Sequence, residues 1–176
     1  MSAAAPASAA ARPTAVLIAG VGNIFAGDDA FGVEVARRLE RRALPSGARV
    51  VDFGIRAVDL AYALQDECDA VVLVDATARG GTPGTIYVIE PDGGADRGTE
   101  AADTLPLMHA LNPQAVLRLL AAAPTRCRRA VIVGCEPQTV GEEDEVTVGL
   151  SAPVAQAVER AADVVEQIVV KMLGEN

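Results

Sequence analysis

The hydrophobic pattern divides the chain into short, almost unbroken apolar runs and longer stretches with helical spacing. The runs fall at about 15–20, 49–53, 70–76, 85–90 and 129–135. Most are rich in β-branched residues, as in Val50-Val51, Val71-Val72-Leu73-Val74 and Val131-Ile132-Val133. Strands that are apolar on both faces belong in a sheet covered on both sides. Between them, residues 30–43 set Phe31, Val35, Ala36, Leu39 and Ala43 on one side, and residues 57–66 carry Val58, Ala61 and Leu64. Asn112-Pro113 reads as an N-cap followed by proline at the first helical position, opening a helix through Leu120. A last helix over 153–173 aligns Val154, Val158, Ala161, Val165, Ile168 and Met172, and Gly174 stops it.

This alternation predicts an α/β fold: a three-layer αβα sandwich with a five-stranded, mostly parallel twisted sheet and helices on both faces. The link from Asp75 to Thr85 is rich in glycine and proline and too short for a crossover helix. The fourth strand is therefore expected to be antiparallel and at an edge. Residues 1–13, an Ala/Ser/Pro stretch, are expected to be a disordered tail, with 14–176 forming a single domain. Residues 91–108 form a long irregular stretch of the kind that often carries function.

Composition narrows the partners. Aromatic residues make up only 3% of the 176 residues and tryptophan is absent, so Val, Leu, Ile and Ala must build the core. A net charge of -9 leaves no diffuse basic surface, which argues against nucleic acid. Arg37, Arg38, Arg41 and Arg42 read as the solvated face of a helix. Cys68, Cys127 and Cys135 make no CxxC pair and read as reduced thiols of a cytoplasmic protein. No apolar run reaches the ~18 residues of a membrane span, and residues 1–13 do not make a secretory signal. Without a long exposed apolar stripe, a monomer is expected.

The candidate chemistry begins at Gly20-Val21-Gly22-Asn23-Ile24-Phe25-Ala26-Gly27-Asp28-Asp29-Ala30-Phe31-Gly32, directly after the first strand. A glycine-rich turn between strand and helix ordinarily cradles phosphate on backbone N–H groups. Here Asp28 and Asp29 stand at that mouth, where they repel an anion and invite a cation. Asp52 ends the second strand and Asp75 the third, and ligands of open α/β sheets gather at the carboxyl ends of strands. Asp75 closes a buried apolar strand and so needs a partner. His109 is the only histidine. Two carboxylates and an imidazole make an O,O,N set suited to a divalent transition metal.

Simpler readings stand beside these. Asp28 can be an N-cap, Asp29 a first-turn acid favoured by the helix dipole, and Asp52 a turn cap. His109 can be a structural residue, and Glu142-Glu143-Asp144-Glu145 a solvated loop. Other chemistries fail on inventory. One histidine and no Gly-x-Ser-x-Gly elbow leave no serine triad. The three cysteines lie in or next to core elements, and a zincin needs two helix histidines. A Rossmann-type nucleotide site would have Phe25 where its third glycine belongs and Asp28-Asp29 facing the phosphates.

Taken together and in order, these motifs resemble the nickel–iron hydrogenase maturation proteases, from residue 15 to about 160. The pieces are Gly20-x-Gly22-Asn23-x4-Asp28-Asp29-x2-Gly32, Asp52-Phe53-Gly54, Val74-Asp75-Ala76 and Pro83-Gly84-Thr85, then the His109 segment, Gly134-x-Glu136-Pro137 and Gly149-Leu150-Ser151. The resemblance implies an endopeptidase that removes the C-terminal extension of a hydrogenase large-subunit precursor after nickel insertion. It also implies that the metal contacts fall on Asp29, Asp75 and His109, with nickel already held by the substrate. Asp29 stands where the family commonly has glutamate, and Ala30 replaces a common glycine. Asp52 matches a further acid of the pattern. The catalytic acids are expected among Asp29, Asp52 and Asp75, with Asp52 as the base that activates water. The remaining alternative of another class is a chaperone-like module that grips the large subunit in a nickel-dependent way without cutting it.

Overall fold

A computed structural model describes residues 15–66, 68–90, 127–139 and 146–174. Its elements are β1 (Val16–Val21), a single 3-10 turn (Asp28–Ala30), α1 (Phe31–Leu39), β2 (Ala48–Gly54), α2 (Ala57–Asp66), β3 (Ala70–Ala76), β4 (Ile86–Ile89), β5 (Arg129–Cys135) and α3 (Ala152–Gly174). The expected tail, His109, the helix opened by Asn112-Pro113 and the acidic run 142–145 lie outside the described residues.

The strands form one sheet in the order β2-β1-β3-β5-β4. Strand β1 runs parallel to both β2 and β3, and β3 runs parallel to β5. The short β4 pairs antiparallel with β5 at the edge, as the brief Asp75–Thr85 link requires. Alternate side chains feed two cores. On one face Val16, Ile18, Val72, Val74, Val131 and Val133 pack against Phe31, Val35 and Leu39 of α1 and Val154, Ala161, Val165 and Val169 of α3. On the other, Leu17, Ala19, Val71, Leu73 and Ile132 pack against Leu60 and Leu64 of α2. Each fully buried aliphatic side chain contributes about 1.5–3 kcal/mol, so many Val and Leu residues replace a few aromatic ones.

The helices depart from expectation in three places. Helix α1 stops at Leu39 rather than 43, because the Arg41 and Arg42 N–H groups bond to the carbonyls of Arg38 and Leu39, tightening the last turn. The arginines are not a merely solvated face. Arg38 pairs with Glu159, and Arg42 pairs with Glu159, with Asp163 at 2.8 Å and with Glu166 at 2.9 Å, clamping the end of α1 to α3. In α2 the buried stripe is Leu60, Ala63 and Leu64, while Val58 is exposed. The apolar Val58 disguised the rotation of that short helix.

Candidate functional site

The carboxyl edge of the sheet carries the chemistry. Strand β1 leads through α1 to β2 on one side, and its other neighbour is β3, so the strand order reverses between β1 and β3. Ligands of open α/β sheets bind in the crevice at such a reversal. Asp29 follows β1 and Asp75 lies at the end of β3, both at this point.

The glycines of the turn serve close approach. Gly22 has φ 136°, a conformation L side chains rarely adopt, and a Cβ there would overlap the Asp29 carbonyl. A Cβ on Gly32 would overlap the carbonyl oxygens of Val21 and Val74. Helix α1 therefore begins directly against β1 and β3 and brings the acid pair to the crevice. The Asn23 N–H donates to Asp29 Oδ2 at 2.6 Å, fixing that carboxylate, while Asn23 Oδ1 accepts from the Phe25 N–H at 3.0 Å.

Asp75 is buried, 6% exposed. Burial, and then the negative charge of Asp29, push its carboxyl well above the ordinary carboxylate range; the Ala76 N–H opposes them only in part. The two acids repel each other, and a divalent ion or a shared proton relieves that repulsion. Among the described residues no group of three or more His, Cys, Asp or Glu side chains is gathered to hold a metal. His109, the proposed third ligand, lies outside the described residues. Two hard oxygen donors, one already desolvated, nevertheless suit a divalent cation with further ligands from elsewhere. Two residues on, Thr77 Oγ1 is buried without a partner, the only such side-chain atom among the described residues.

Asp28 does not cap a helix. It is fully buried and accepts four hydrogen bonds, from the N–H groups of Gln138 (2.8 Å), Thr139 (3.0 Å) and Ser151 (2.6 Å) and from the Ser151 hydroxyl (2.9 Å). Burial raises its pKa, but these donors outweigh burial and hold the carboxyl below its ordinary value. Ser151 directly precedes α3, so the carboxylate also meets the positive end of that helix. Asp28 thus fastens the turn that carries Asp29 to the segment after β5 and to the start of α3.

Asp52 faces the α1 side of the sheet. It is paired with Gly20 in register, two strands from Val74, and its Oδ2 lies 3.7 Å from Arg37 Nε. Val74 shares that face and Asp75, the next residue, has the opposite one. The structure therefore brings Asp29 and Asp75 together and leaves Asp52 apart from them, two strands from β3 and on the opposite face from Asp75. Glu136 has a structural part. Burial pushes its pKa up, and the Tyr87 hydroxyl with the Arg79, Gly81 and Gly80 N–H groups more than reverse this. Its contacts, 2.7 Å to Tyr87 and 2.8 Å to Arg79, tie the loop after β3 to β4 and β5. In the sequence Glu136 stands only as part of a motif; an acid directly after the apolar run 131–135 was the available signal.

No thiol is poised as a nucleophile. Burial pushes Cys135 up to about 11, and Cys127 is raised by its hydrogen bond to Cys68 and by burial.

The profile of the family described as "Hydrogenase maturation protease" matches residues 33–168. The hydrogenase expression/formation protein HupD of Rhodobacter capsulatus is 32% identical over 130 residues, covering 72% of this chain and 59% of its own length. The chain thus spans less than two thirds of that relative. The hydrogenase maturating endopeptidase HybD from E. coli superposes with a TM-score of 0.71 at 25% identity, covering 90% of this chain and 93% of that one. The NiFe hydrogenase maturation protease HycI from Thermococcus kodakarensis KOD1 gives 0.63 at 26% identity, covering 90% and 94%. A match over most of the chain and a shared sheet topology lead to one conclusion: this protein belongs to the hydrogenase maturation proteases and is an endopeptidase.

Proposed function

We propose that this endopeptidase removes the C-terminal extension of a nickel–iron hydrogenase large subunit once nickel is in place, and that Asp29, Asp75 and His109 read the nickel carried in by that substrate. The observation that carries this reading is the buried Asp75 held beside Asp29 at the strand-order reversal. A cation presented by the correct precursor relieves the repulsion of that pair, so loaded and empty precursors differ in affinity by an electrostatic contribution. Bound there, a divalent ion supplies Lewis-acid polarisation. In peptide hydrolysis a water oxygen bonds to the scissile carbonyl carbon, the C–N bond breaks and the amine leaves with a proton. Asp52 is the proposed acceptor of the water proton; its place at the same edge, on the face away from Asp75, leaves it outside the metal-reading pair.

The test is the intact mass of nickel-loaded and nickel-free precursor after incubation with the protein. Loss of a C-terminal peptide from the loaded form alone is expected. Asp29→Ala, Asp75→Ala and His109→Ala each abolish that loss while the proteins remain folded by circular dichroism. Asp52→Asn lowers the cleavage rate and preserves capture of the precursor. Equal cleavage of both precursors, or normal cleavage by folded His109→Ala, overturns the nickel-reading role. An unchanged mass of a properly loaded cognate precursor overturns the processing role.

A further inference from the structure

The segment Val146–Val148 is the least explained exposed feature near the site. Thr147 forms an isolated parallel bridge with Ala26: its N–H donates to the Phe25 carbonyl at 2.9 Å, and its carbonyl accepts from the Gly27 N–H at 2.7 Å. Both backbone groups of Thr147 are thereby spent on the site turn. In an extended strand the N–H and C=O of the flanking residues point to the opposite side. Those of Val146 and Val148 take no backbone partner among the described residues. The two side chains are 73% and 75% exposed, and the bridge register puts them on one face with Phe25, itself 56% exposed. A β-branched edge with unpaired backbone groups invites another strand, and proteins usually block such edges with charge, proline or a covering element. None of Val146, Thr147 or Val148 is charged or proline.

We propose that Val146–Val148 is a docking strand for the peptide segment that this endopeptidase cuts, which adds to it as an extended strand. Backbone hydrogen bonds to Val146 and Val148 give affinity, and uncharged side chains of the peptide rest on Phe25, Val146 and Val148. The inference rests on the processing reading above and names where the extension of the precursor is gripped. Position argues for this occupant. Gly27, which is bonded to Thr147, lies two residues before Asp29, so a strand laid along Val146–Val148 runs beside the turn that carries the proposed metal reader. At about 3.3 Å per residue, a few further residues bring a peptide bond to the carboxyl edge.

The test uses the full-length protein with nickel-loaded large-subunit precursor, reading capture and cleavage separately. Val148→Pro deletes an outward N–H, and the Val146→Ser/Val148→Ser pair keeps the backbone but removes the apolar face. Each is expected to raise KM, and to weaken capture, by about tenfold with kcat little changed. Val170→Ser, at an exposed valine of α3 outside the docking strand, leaves both unchanged. Should Val148→Pro fail to fold, the serine pair decides. Wild-type KM and capture in a folded serine pair overturn the docking strand. If the wild-type protein captures the precursor without cutting it, the processing reading falls while the capture comparison still decides the docking strand. If it neither captures nor cuts, both fall.

Discussion

Two neighbouring roles for aspartate are set apart by their surroundings. Asp28 is charged in a nest of donors, whereas Asp75 is buried with one weak donor and another acid beside it. Their effects on stability therefore have opposite signs. Asp28 has a lowered pKa in the fold, so its contribution is present above the ordinary value of about 3.9 and is lost as pH falls through the folded value. Asp75 has a raised pKa, so stability is complete below about 3.9 and declines as pH rises through the folded value. Asp28→Asn should thus cost about 3 kcal/mol at pH 7, since an amide cannot accept from all four donors. Asp75→Asn should raise the thermal midpoint at pH 7. The Asp75→Asn difference should narrow as the pH is lowered towards 4, whereas the Asp28→Asn difference should hold to about pH 4 and narrow only below it, which urea and thermal melts across that range would measure. The sequence had singled out Asp75 from the apolar strand it closes, and the register bears out the buried setting. It could not disclose what holds Asp28, because the donors come from Gln138, Thr139 and Ser151 and no local pattern points to them.

At the scale of elements, hydrophobic periodicity worked where burial is symmetric. The strands at the centre of the sheet are apolar on both faces and were legible to within a residue or two; so was α3, whose long stripe averages out irregularities. It failed where an element is short or half exposed, as in α2, where Val58 points outward and Leu60 inward. The arginine run does lie on a solvent-facing surface, with Arg37, Arg38 and Arg41 exposed, but its ion pairs were not legible for a related reason. Its partners Glu159, Asp163 and Glu166 lie on a helix more than a hundred residues away, so an ion-pair clamp looks like solvation in sequence. The glycines have the sharpest consequence for element packing. Gly32→Ala must separate α1 from the carbonyls of Val21 and Val74, which are backbone and cannot swing aside. A loss of about 3 kcal/mol or more is expected in denaturant titration, together with weaker precursor capture, since the same displacement moves Asp29.

At the scale of the whole molecule, the mixed sheet and its family follow from the order of motifs, whereas the complete metal-reading set does not follow from the described residues. Asp29 and Asp75 meet because β1 and β3 are neighbours across the reversal of strand order. That adjacency was implicit in the α/β alternation. The docking strand was not legible at all: Val146 and Val148 sit in a short polar-flanked stretch with no periodicity, and only the bridge to Ala26 gives them a direction.

The hydrogen bonds of Asp28 also set a schedule for synthesis. The turn bearing Asp29 is made early, but its fasteners are residues 110, 111 and 123 positions later in the chain. At about 5–20 residues per second, the turn waits roughly 6–25 seconds for Ser151. A chain arrested on the ribosome before that residue should show a protease-sensitive Phe25–Asp29 turn, and one released after α3 should not. The turn that carries Asp29 is thereby fastened only once Ser151 has been made, well over a hundred residues after the turn itself.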